Sequence, residues 1–567
     1  MSASFADKIE MQNLLFAELS KMFGQEVPLY DRSLIVNQVC NQTVCALLSR
    51  KYAGFQLSER QLEKTSGERH GAIRIGKPEE YRWVAAFFAA FGLQPHNFYD
   101  MTNLGSKSQP VIATAFRSPL NPEHRVFTSL LMTDYFDSQT RQRIESLLTP
   151  REVFSPRAEE LTSKNERDGG LNWADARALI HEGTTRIFKW TGRARDHQLF
   201  QELSKSGFKI AADIACFESH HLNHLTPNTF CMDLYTTAMK FCLGELPLDV
   251  LTARAQRTLQ FLFGFADRHY LRLHFKHLSW QEIGGYAATS PAESEITVLV
   301  NALAQRLQQP DLALQTLNHS GFKDFTEGPS ADTLVLLRQD SYKALTEPVA
   351  FQKADGTIVN DRHTARFGEI EQRFYATTPK GRALYDQCLA EAEKLREAEP
   401  DLIKQEYESF QNAYANCFAP FPKTLEALLE QELVYGRYSA TASGVEAGRN
   451  GLIKTTDAAE LVRLGFAQAE GLRYEDFLPF SAAGIFASNL GQYGTKSTAA
   501  AKPAYSQKTL ESIMGRTIID PNVTYAGVQA EAMHKLYADL GLLEKLTPEE
   551  RNQWEQIAAE YRQIIPR

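Results

Sequence analysis

The chain has 567 residues, of which 43% are hydrophobic and 23% charged, a composition typical of globular proteins that excludes disorder of the whole chain. Its net charge of -8 comes from acidic residues spread along the sequence, without a basic block that could follow a phosphate backbone, so we expect no nucleic-acid partner. The amphipathic, acid-containing N-terminus is typical neither of a signal peptide nor of a transmembrane helix, and we expect a cytoplasmic protein without a membrane partner.

Apolar residues at helical spacing from about Phe5 to Leu48, interrupted at EVPLY, predict that the chain opens with two helices. The stretch ERHGAIRIG, residues 68–76, is predicted to be a strand. Because side chains alternate along a strand, His70, Ala72 and Arg74 would share one face.

A helix is predicted over Arg82 to Phe91, and GLQPHNFYD is predicted to turn the chain before two strands, QPVIATAFRS and HRVFTSLLM. Residues 138–206 have mainly helical spacing, and the apolar run KIAADIACFES predicts another strand ahead of HHLNHLTPN. Helical spacing with few strand signals then predicts a helical insertion over residues 234–321.

Strands return in DTLVLLRQDSYKALTEPVAFQ and HTARFGEIEQRFYATT, followed by a helix in KGRALYDQCLAEAEKLREAE. LVYGRYSATA and LRYEDFLPFSAAGIF are predicted to be extended, and residues 526–561 helical. The expected fold is therefore α+β. Residues 1–233 and 322–567 would form one catalytic domain that carries residues 234–321 as its insertion.

The seven cysteines are scattered and odd in number, and they contain no C-x-x-C pair, so we interpret them as buried thiols. Polar residues that could bind a metal instead concentrate in three segments whose neighbouring sequence is apolar: RHGAIRIG, HHLNHLTPN and RFGEIEQRF. Two histidines and a carboxylate from separate strands are the ligand set of many non-haem iron sites. Among 14 histidines and 69 acidic residues, however, many such triplets can be drawn, and the pattern alone leaves a structural role for these histidines open.

Four motifs in order carry a more specific signal: HGAIRIG at 70–76, NHLTP at 223–227, TARFGEIEQR followed by TPKGRALYD, and YEDFLPFSAAGIF at 474–486. Together they resemble the 2-oxoadipate dioxygenase/decarboxylase (hydroxyglutarate synthase) family of the vicinal oxygen chelate superfamily. The resemblance covers most of the chain outside residues 234–321. It implies a curved mixed sheet around a metal site, with peripheral helices and a helical insertion.

The resemblance also implies an iron(II) enzyme of lysine catabolism. Its partners would be a small 2-oxo dicarboxylic acid and dioxygen, and it would convert 2-oxoadipate to 2-hydroxyglutarate and carbon dioxide. Carried over to this sequence, the metal ligands would be His70, His224 and Glu369, and Arg74 would bind a substrate carboxylate. The loop at Phe480 and Ser481 would line the substrate pocket. The oligomeric state is left open.

Several positions compete for these roles. Glu371 shares the predicted face of Glu369 and is the rival ligand; otherwise it would pair with Arg373 or orient a metal-binding histidine. His220 and His221 compete with His224 as the metal ligand. If His224 is the ligand, His221 would contact the substrate or one of the metal ligands.

The chain departs from the family pattern at Asn228, where arginine is usual, and at Phe374, where glycine is usual. Both lie close in sequence to proposed ligands, and either change could alter which oxo acid is accepted. The insertion at 234–321 is open to interpretation as a lid, an oligomer surface or a solvated decoration.

Two other functions compete with the oxygenase. Another metal-dependent vicinal oxygen chelate enzyme would use a different oxo acid or a different reaction, and oxygen uptake with carbon dioxide release would distinguish it. A metal-free protein that binds an organic acid would contain no iron when purified without oxygen.

Overall fold

The computed structural model describes residues 5–103, 108–119, 122–290, 293–323, 326–353, 355–398, 406–478, 496–501 and 503–564. The fold mixes helices with several sheets, so the predicted α+β class is confirmed. The strands, in chain order, are β1 (Tyr52–Ala53), β2 (Glu68–Ile75), β3 (Gln94–Asp100), β4 (Val111–Arg117), β5 (Arg125–Leu131), β6 (Arg193–Arg195), β7 (His224–Pro227), β8 (Ala287–Ala288), β9 (Leu337–Ser341), β10 (Thr346–Gln352), β11 (Ile358–Thr364), β12 (Glu369–Arg373), β13 (Gly436–Ala440) and β14 (Ala467–Gly471).

The helices cover these sheets and fill the sequence between them. In chain order they are α1 (Lys8–Glu26), α2 (Pro28–Lys51), α3 (Glu59–Ser66), α4 (Pro78–Ala90), α5 (Ser138–Leu148), α6 (Pro156–Asp168), α7 (Trp173–Glu182), α8 (His197–Lys205), α9 (Lys209–Cys216), α10 (Met232–Cys242), α11 (Leu248–Phe265), α12 (Arg268–His274), α13 (Trp280–Gly285), α14 (Glu293–Leu307), α15 (Pro379–Ala398), α16 (Tyr407–Asn416), α17 (Leu425–Glu430), α18 (Ala442–Arg449), α19 (Ala458–Arg463), α20 (Gln507–Met514), α21 (Pro521–Asp539) and α22 (Pro548–Ile564). Among the described residues, no helix has the length and apolar content needed to span a membrane.

A mixed sheet of five strands, ordered β3-β4-β5-β2-β7, forms the centre of the fold. β2 runs parallel to β5, and its other neighbour, β7, is antiparallel to it. Every residue of β4 and β5 is buried, which explains why their sequences are apolar runs without clear alternation. The predicted strands at these positions and at β2 are confirmed.

The central sheet continues beyond β7 through a few backbone hydrogen bonds. The Thr229 amide donates to the Glu371 carbonyl at 2.9 Å, and the Phe367 amide donates to the Asn223 carbonyl at 3.1 Å. β12 therefore lies beside β7, and β12 in turn pairs with β9 in antiparallel register. This places β2, β7 and β12 next to one another, although β12 is far from the other two in sequence.

Residues 234–321 are mainly helical, as predicted, and consist largely of α10 to α14, with the short strand β8 among them. Helices α10, α11 and α14 pack against α2. Leu251, Leu259 and Leu303 are buried in the same apolar cluster as the central sheet. The segment thus contributes to the main core instead of standing apart from it in solvent.

The prediction of a strand at KIAADIACFES is wrong, because residues Lys209–Cys216 form helix α9. All the residues from Ile210 to Cys216 are buried, so no alternation of polar and apolar residues was available to separate a strand from a helix. Three of them are alanine, the residue with the highest helix propensity, and this favours the helix.

The prediction of a turn over GLQPHNFYD is also wrong for most of that segment. The turn is confined to its start, where Gly92 adopts a φ of 71°, and Gln94–Asp100 forms β3. β3 is the edge of the central sheet, where Pro95 is tolerated because its missing N–H faces no partner strand. The pairing of β3 with β4 shifts register between His96 and Phe98, as at a β-bulge.

Candidate metal centre

Three neighbouring strands carry the predicted ligands. In the antiparallel pair of β2 and β7, Ala72 lies opposite His224 and His70 lies opposite Thr226, so the two histidines are on one face of the sheet. Glu369 begins β12 on the other side of β7. The middle strand thus brings together three side chains that are up to 299 positions apart in sequence.

His70, His224 and Glu369 converge on a common centre. One ligand atom from each lies within 4.8 Å of the others, and no other such group of His, Cys, Asp or Glu occurs among the described residues. Glu369 Oε2 lies 3.1 Å from His70 Nε2 and 3.4 Å from His224 Nε2. All three residues are buried, and the Thr226 hydroxyl donates to the same carboxylate oxygen at 3.1 Å.

These distances fit a bound metal ion. Metal–ligand bonds of about 2.1 Å place neighbouring ligand atoms about 3.0 to 3.4 Å apart, which is the separation of the carboxylate oxygen from each imidazole nitrogen. Burial is the largest influence on His224 and lowers its pKa to about 4, with His70 and Arg74 adding to the effect and Glu369 opposing it. Burial opposes ionisation of Glu369, but the neighbouring His224 and His70 outweigh it, and its pKa is lowered. Neutral imidazole and ionised carboxylate are the forms that bind metals.

Glu371, the rival ligand, is held in a different set of contacts. Its Oε2 lies 2.8 Å from His70 Nδ1, on the opposite side of the ring from Glu369. Arg373 and Arg125 both donate to its carboxylate, at 2.6 Å and 3.0 Å. Burial opposes ionisation, but the two arginines and His70 lower its pKa well below the usual range. Glu371 therefore pairs with Arg373, one of its two expected alternative roles, and it also contacts His70.

The two rival histidines lie outside the cluster. His220 Nε2 is 3.0 Å from Glu80 Oε2, and His221 Nε2 is 3.2 Å from Asp213 Oδ1. Among HHLNH, only His224 lies on β7 with its ring beside His70, at a centroid distance of 5.7 Å. The preference for His224 over its neighbours thus agrees with the geometry.

Arg74 lies on the same strand as His70 but is already engaged by a carboxylate. Its Nη1 is 2.6 Å from Asp213 Oδ2, and both side chains are almost fully buried. The other oxygen, Asp213 Oδ1, lies 2.8 Å from His363 Nε2. Burial opposes ionisation of Asp213, but His221 and Arg74 outweigh it and lower its pKa well below normal. Asp213 thus fixes the position of the Arg74 guanidinium.

Sequence reasoning missed Asp213 and the aromatic residues around the imidazoles. The Phe367 ring stacks on His224 with a centroid distance of 4.7 Å, and the Phe477 ring contacts His70 edge-on at 4.7 Å. A signal for Asp213 was available, because an aspartate inside the apolar run KIAADIAC requires a buried partner. Phe367 and Phe477 belong to the motifs TARFGEIEQR and YEDFLPF, but nothing local distinguishes them from core residues.

Neither departure from the family pattern places a new group at the cluster. Asn228 is fully buried, and its side-chain oxygen accepts a hydrogen bond from Arg473 Nη2 at 2.9 Å. Phe374 is buried in a second apolar cluster with Leu336 and Tyr375. Phe480 and Ser481, the predicted pocket loop, lie outside the described residues.

Comparisons with known proteins extend over most of the chain. A model of the 2-oxoadipate dioxygenase/decarboxylase family matches residues 15–242 and 269–489. The chain is similar to the 2-oxoadipate dioxygenase/decarboxylase of Pseudomonas putida, with 32% identity over 93% of this chain and 96% of that relative. It is similar to the protein of the same name from Escherichia coli, with 31% identity over 91% of this chain and 94% of that relative.

A solved structure gives the same result. The fold resembles the crystal structure of hydroxyglutarate synthase from Pseudomonas putida in complex with 2-oxoadipate, with a TM-score of 0.66 and 30% identity. The similarity covers 95% of this chain and 99% of that one.

Proposed function

Since this chain belongs to the 2-oxoadipate dioxygenase/decarboxylase family, we propose that it converts 2-oxoadipate and dioxygen to 2-hydroxyglutarate and carbon dioxide, a step of lysine catabolism. The equation balances: one carbon leaves as carbon dioxide, and the two oxygen atoms of dioxygen are distributed over the products. No second oxo acid is consumed. The observation that carries the proposal is the buried cluster of two histidines and one glutamate on adjacent strands.

We propose Fe(II) as the metal, held by His70, His224 and Glu369. Two imidazoles and one carboxylate are the ligand set of non-haem Fe(II) oxygenases, in which the remaining positions stay open. When bound, Fe(II) would supply a redox centre with open positions for the 2-oxo acid and dioxygen, and the oxo acid itself would supply the electrons that reduce dioxygen. Glu371 holds the Nδ1 side of His70, and this keeps Nε2 directed at the centre.

Arg74 is proposed to bind the carboxylate at the far end of the substrate. It lies four residues beyond His70 on the same face of β2, about 13 Å along the strand. A planar guanidinium binds a carboxylate with charge-assisted hydrogen bonds in a defined orientation. Asp213 fixes this guanidinium, so the distance between it and the metal centre would select the length of the dicarboxylate.

The surroundings of the cluster support chemistry that excludes bulk water. Phe367 and Phe477 cover the two imidazole rings, and the three ligand side chains are at most 5% exposed. Phe480 and Ser481 follow Phe477 closely in sequence, and we propose that they line the substrate pocket. The proposed ligands come from adjacent strands and meet on one face of the sheet. On this basis we propose that the fold is of the vicinal oxygen chelate type.

The proposal is tested with protein loaded with Fe(II) under anaerobic conditions. Oxygen uptake and carbon dioxide release are measured with 2-oxoadipate, 2-oxoglutarate and 2-oxopimelate, and the product is identified by mass spectrometry. We expect one dioxygen consumed per carbon dioxide released, with 2-oxoadipate as the preferred substrate. Carbon–carbon rearrangement without oxygen uptake would instead support a different metal-dependent reaction, and absence of both would contradict an oxygenase.

Glu371→Gln is expected to lower metal affinity by about 10- to 100-fold without removing a ligand, because the residue orients His70. Metal affinity is measured by titration with Fe(II) or Co(II) in the absence of oxygen. Glu475→Gln is the matched control, since Glu475 also binds Arg125, at 2.9 Å, but has no contact with the histidine. If both variants lost metal affinity equally, the contact of Glu371 with Arg125, and not its contact with His70, would explain the effect.

A further inference from the structure

A cavity lies outside the metal centre, where α12, β13 and β14 meet α21. Its volume is about 500 Å³. His70, His224, Glu369 and Arg74 are absent from its lining, so it is distinct from the cluster described above. Nothing in the proposed reaction uses it.

The lining of this cavity is strongly cationic. Two carboxylates, Glu470 and Glu475, face five arginine and lysine side chains: Arg117, Arg272, Lys276, Arg437 and Arg473. Cations thus outnumber carboxylates in the lining, in a protein whose net charge is -8. Such a local excess attracts anions even though the protein as a whole repels them.

The two carboxylates are each shared between cations. Glu470 contacts Arg272 through Oε2 at 2.6 Å and Arg437 through Oε1 at 3.0 Å. Glu475 contacts Lys276 through Oε1 at 2.8 Å, while its other oxygen contacts Arg125 at 2.9 Å. Two carboxylates outside the lining, Asp476 and Glu123, contact Arg117 and Lys276 at 3.1 Å and 3.5 Å. The five cations of the lining thus have four carboxylate neighbours, which leaves one positive charge in excess.

One cation of the lining is held rigidly inside the protein. Arg117 is 1% exposed, and its Nε lies 3.1 Å from Asp476 Oδ1, which stands behind the cavity wall. Its guanidinium also lies over the Tyr525 ring, 5.6 Å from the centroid. Within the described part of the chain, no acceptor is in hydrogen-bond contact with its buried Nη2. Because Nη2 itself is buried, Arg117 acts on an anion in the cavity through its charge and not through a hydrogen bond from this atom.

The rest of the lining is apolar or aromatic. Leu273, Leu472, Val528 and the rings of Tyr375 and Tyr561 complete the walls. A cavity of this size with convergent charged groups and apolar walls matches the general character of small-molecule sites. An inorganic ion would use the cationic part and leave the apolar walls in contact with water.

We propose that this cavity binds an organic anion that carries its negative charge beside an aromatic or apolar body. The cationic side chains bind the charged group, and the tyrosine rings and aliphatic residues contact the body. The site is independent of the metal, and it does not require the reaction proposed above.

The test uses calorimetric titration of the metal-free full chain at an ionic strength of about 0.15 M, where surface attraction is largely screened. The probes are adenosine monophosphate, inorganic phosphate and adenosine, which present the charge and the body together and separately. We expect adenosine monophosphate to bind with a Kd below about 1 mM, at least tenfold more tightly than either separate probe. Absence of binding, or equal binding of phosphate and the nucleotide, would overturn the proposal.

Two substitutions with opposite charge effects locate the binding. Arg437→Gln removes a cation of the lining and is expected to weaken binding of adenosine monophosphate about tenfold. Glu470→Gln removes an anion and is expected to strengthen it. Arg463→Gln, at an exposed position outside the cavity, is the control and is expected to change nothing. If the first two variants bind like the unaltered protein, or if 2-oxoadipate displaces the nucleotide equally from all of them, the anion binds elsewhere.

Discussion

Replacing His70 or Glu369 with alanine is expected to abolish stoichiometric metal binding and to lower turnover of 2-oxoadipate by at least about 1000-fold, or about 4 kcal/mol in the activation barrier. The reason is geometric. Three ligand atoms within 4.8 Å of one another define one centre, and removal of either residue leaves only two of them. Metal content after anaerobic loading and desalting, measured by mass spectrometry, gives the direct test.

His96→Gln is the matched control for His70→Ala. His96 is also fully buried in the central sheet, but it lies on edge strand β3, with β4 and β5 between it and β2. We expect the control to retain metal and activity, with any cost confined to thermal stability. Full metal occupancy in Glu369→Ala, with a circular dichroism spectrum like that of the unaltered protein, would show that another residue completes the site.

Arg74→Met is expected to lower kcat/KM for 2-oxoadipate by about 100- to 1000-fold, or about 3 to 4 kcal/mol, mainly through KM, while metal content stays unchanged. A buried charge-assisted contact to the far carboxylate would be lost, whereas the ligand cluster keeps all its atoms. 2-Oxohexanoate, which has the same chain length but no second carboxylate, provides the comparison. Its kcat/KM is expected to change little, because it makes no contact that Arg74 could supply.

Loss of Arg74 also leaves the buried Asp213 carboxylate without its 2.6 Å partner, which can cost several kcal/mol of stability. The double variant Arg74→Met with Asp213→Asn removes both charges and is expected to regain most of the lost stability. Its activity on 2-oxoadipate is expected to stay low. Recovery of activity together with stability would mean that Arg74 acts through the fold and does not bind the substrate.

Local sequence patterns predicted most of the elements that carry the site. Alternation along β2 and β12 is a property of a few neighbouring residues, so the shared faces of His70 with Arg74, and of Glu369 with Glu371, were readable from the sequence. The same reasoning failed at α9, where a fully buried run has no alternation, and at β3, where residues common in turns form an edge strand.

The sequence by itself therefore determined the class of the fold, the residue types available to the site and, through its four motifs, the family. Only the tertiary structure decided which carboxylate faces the two histidines and which supports one of them from behind. It also decided that Arg74 is paired with Asp213, 139 positions away. The physical reason is that a buried ionisable group needs a partner, but nothing local specifies where in the chain that partner lies. Packing of β12 against β7, and the contact between Asp213 of α9 and Arg74 of β2, make those choices, because each brings distant charged side chains into one water-excluded space.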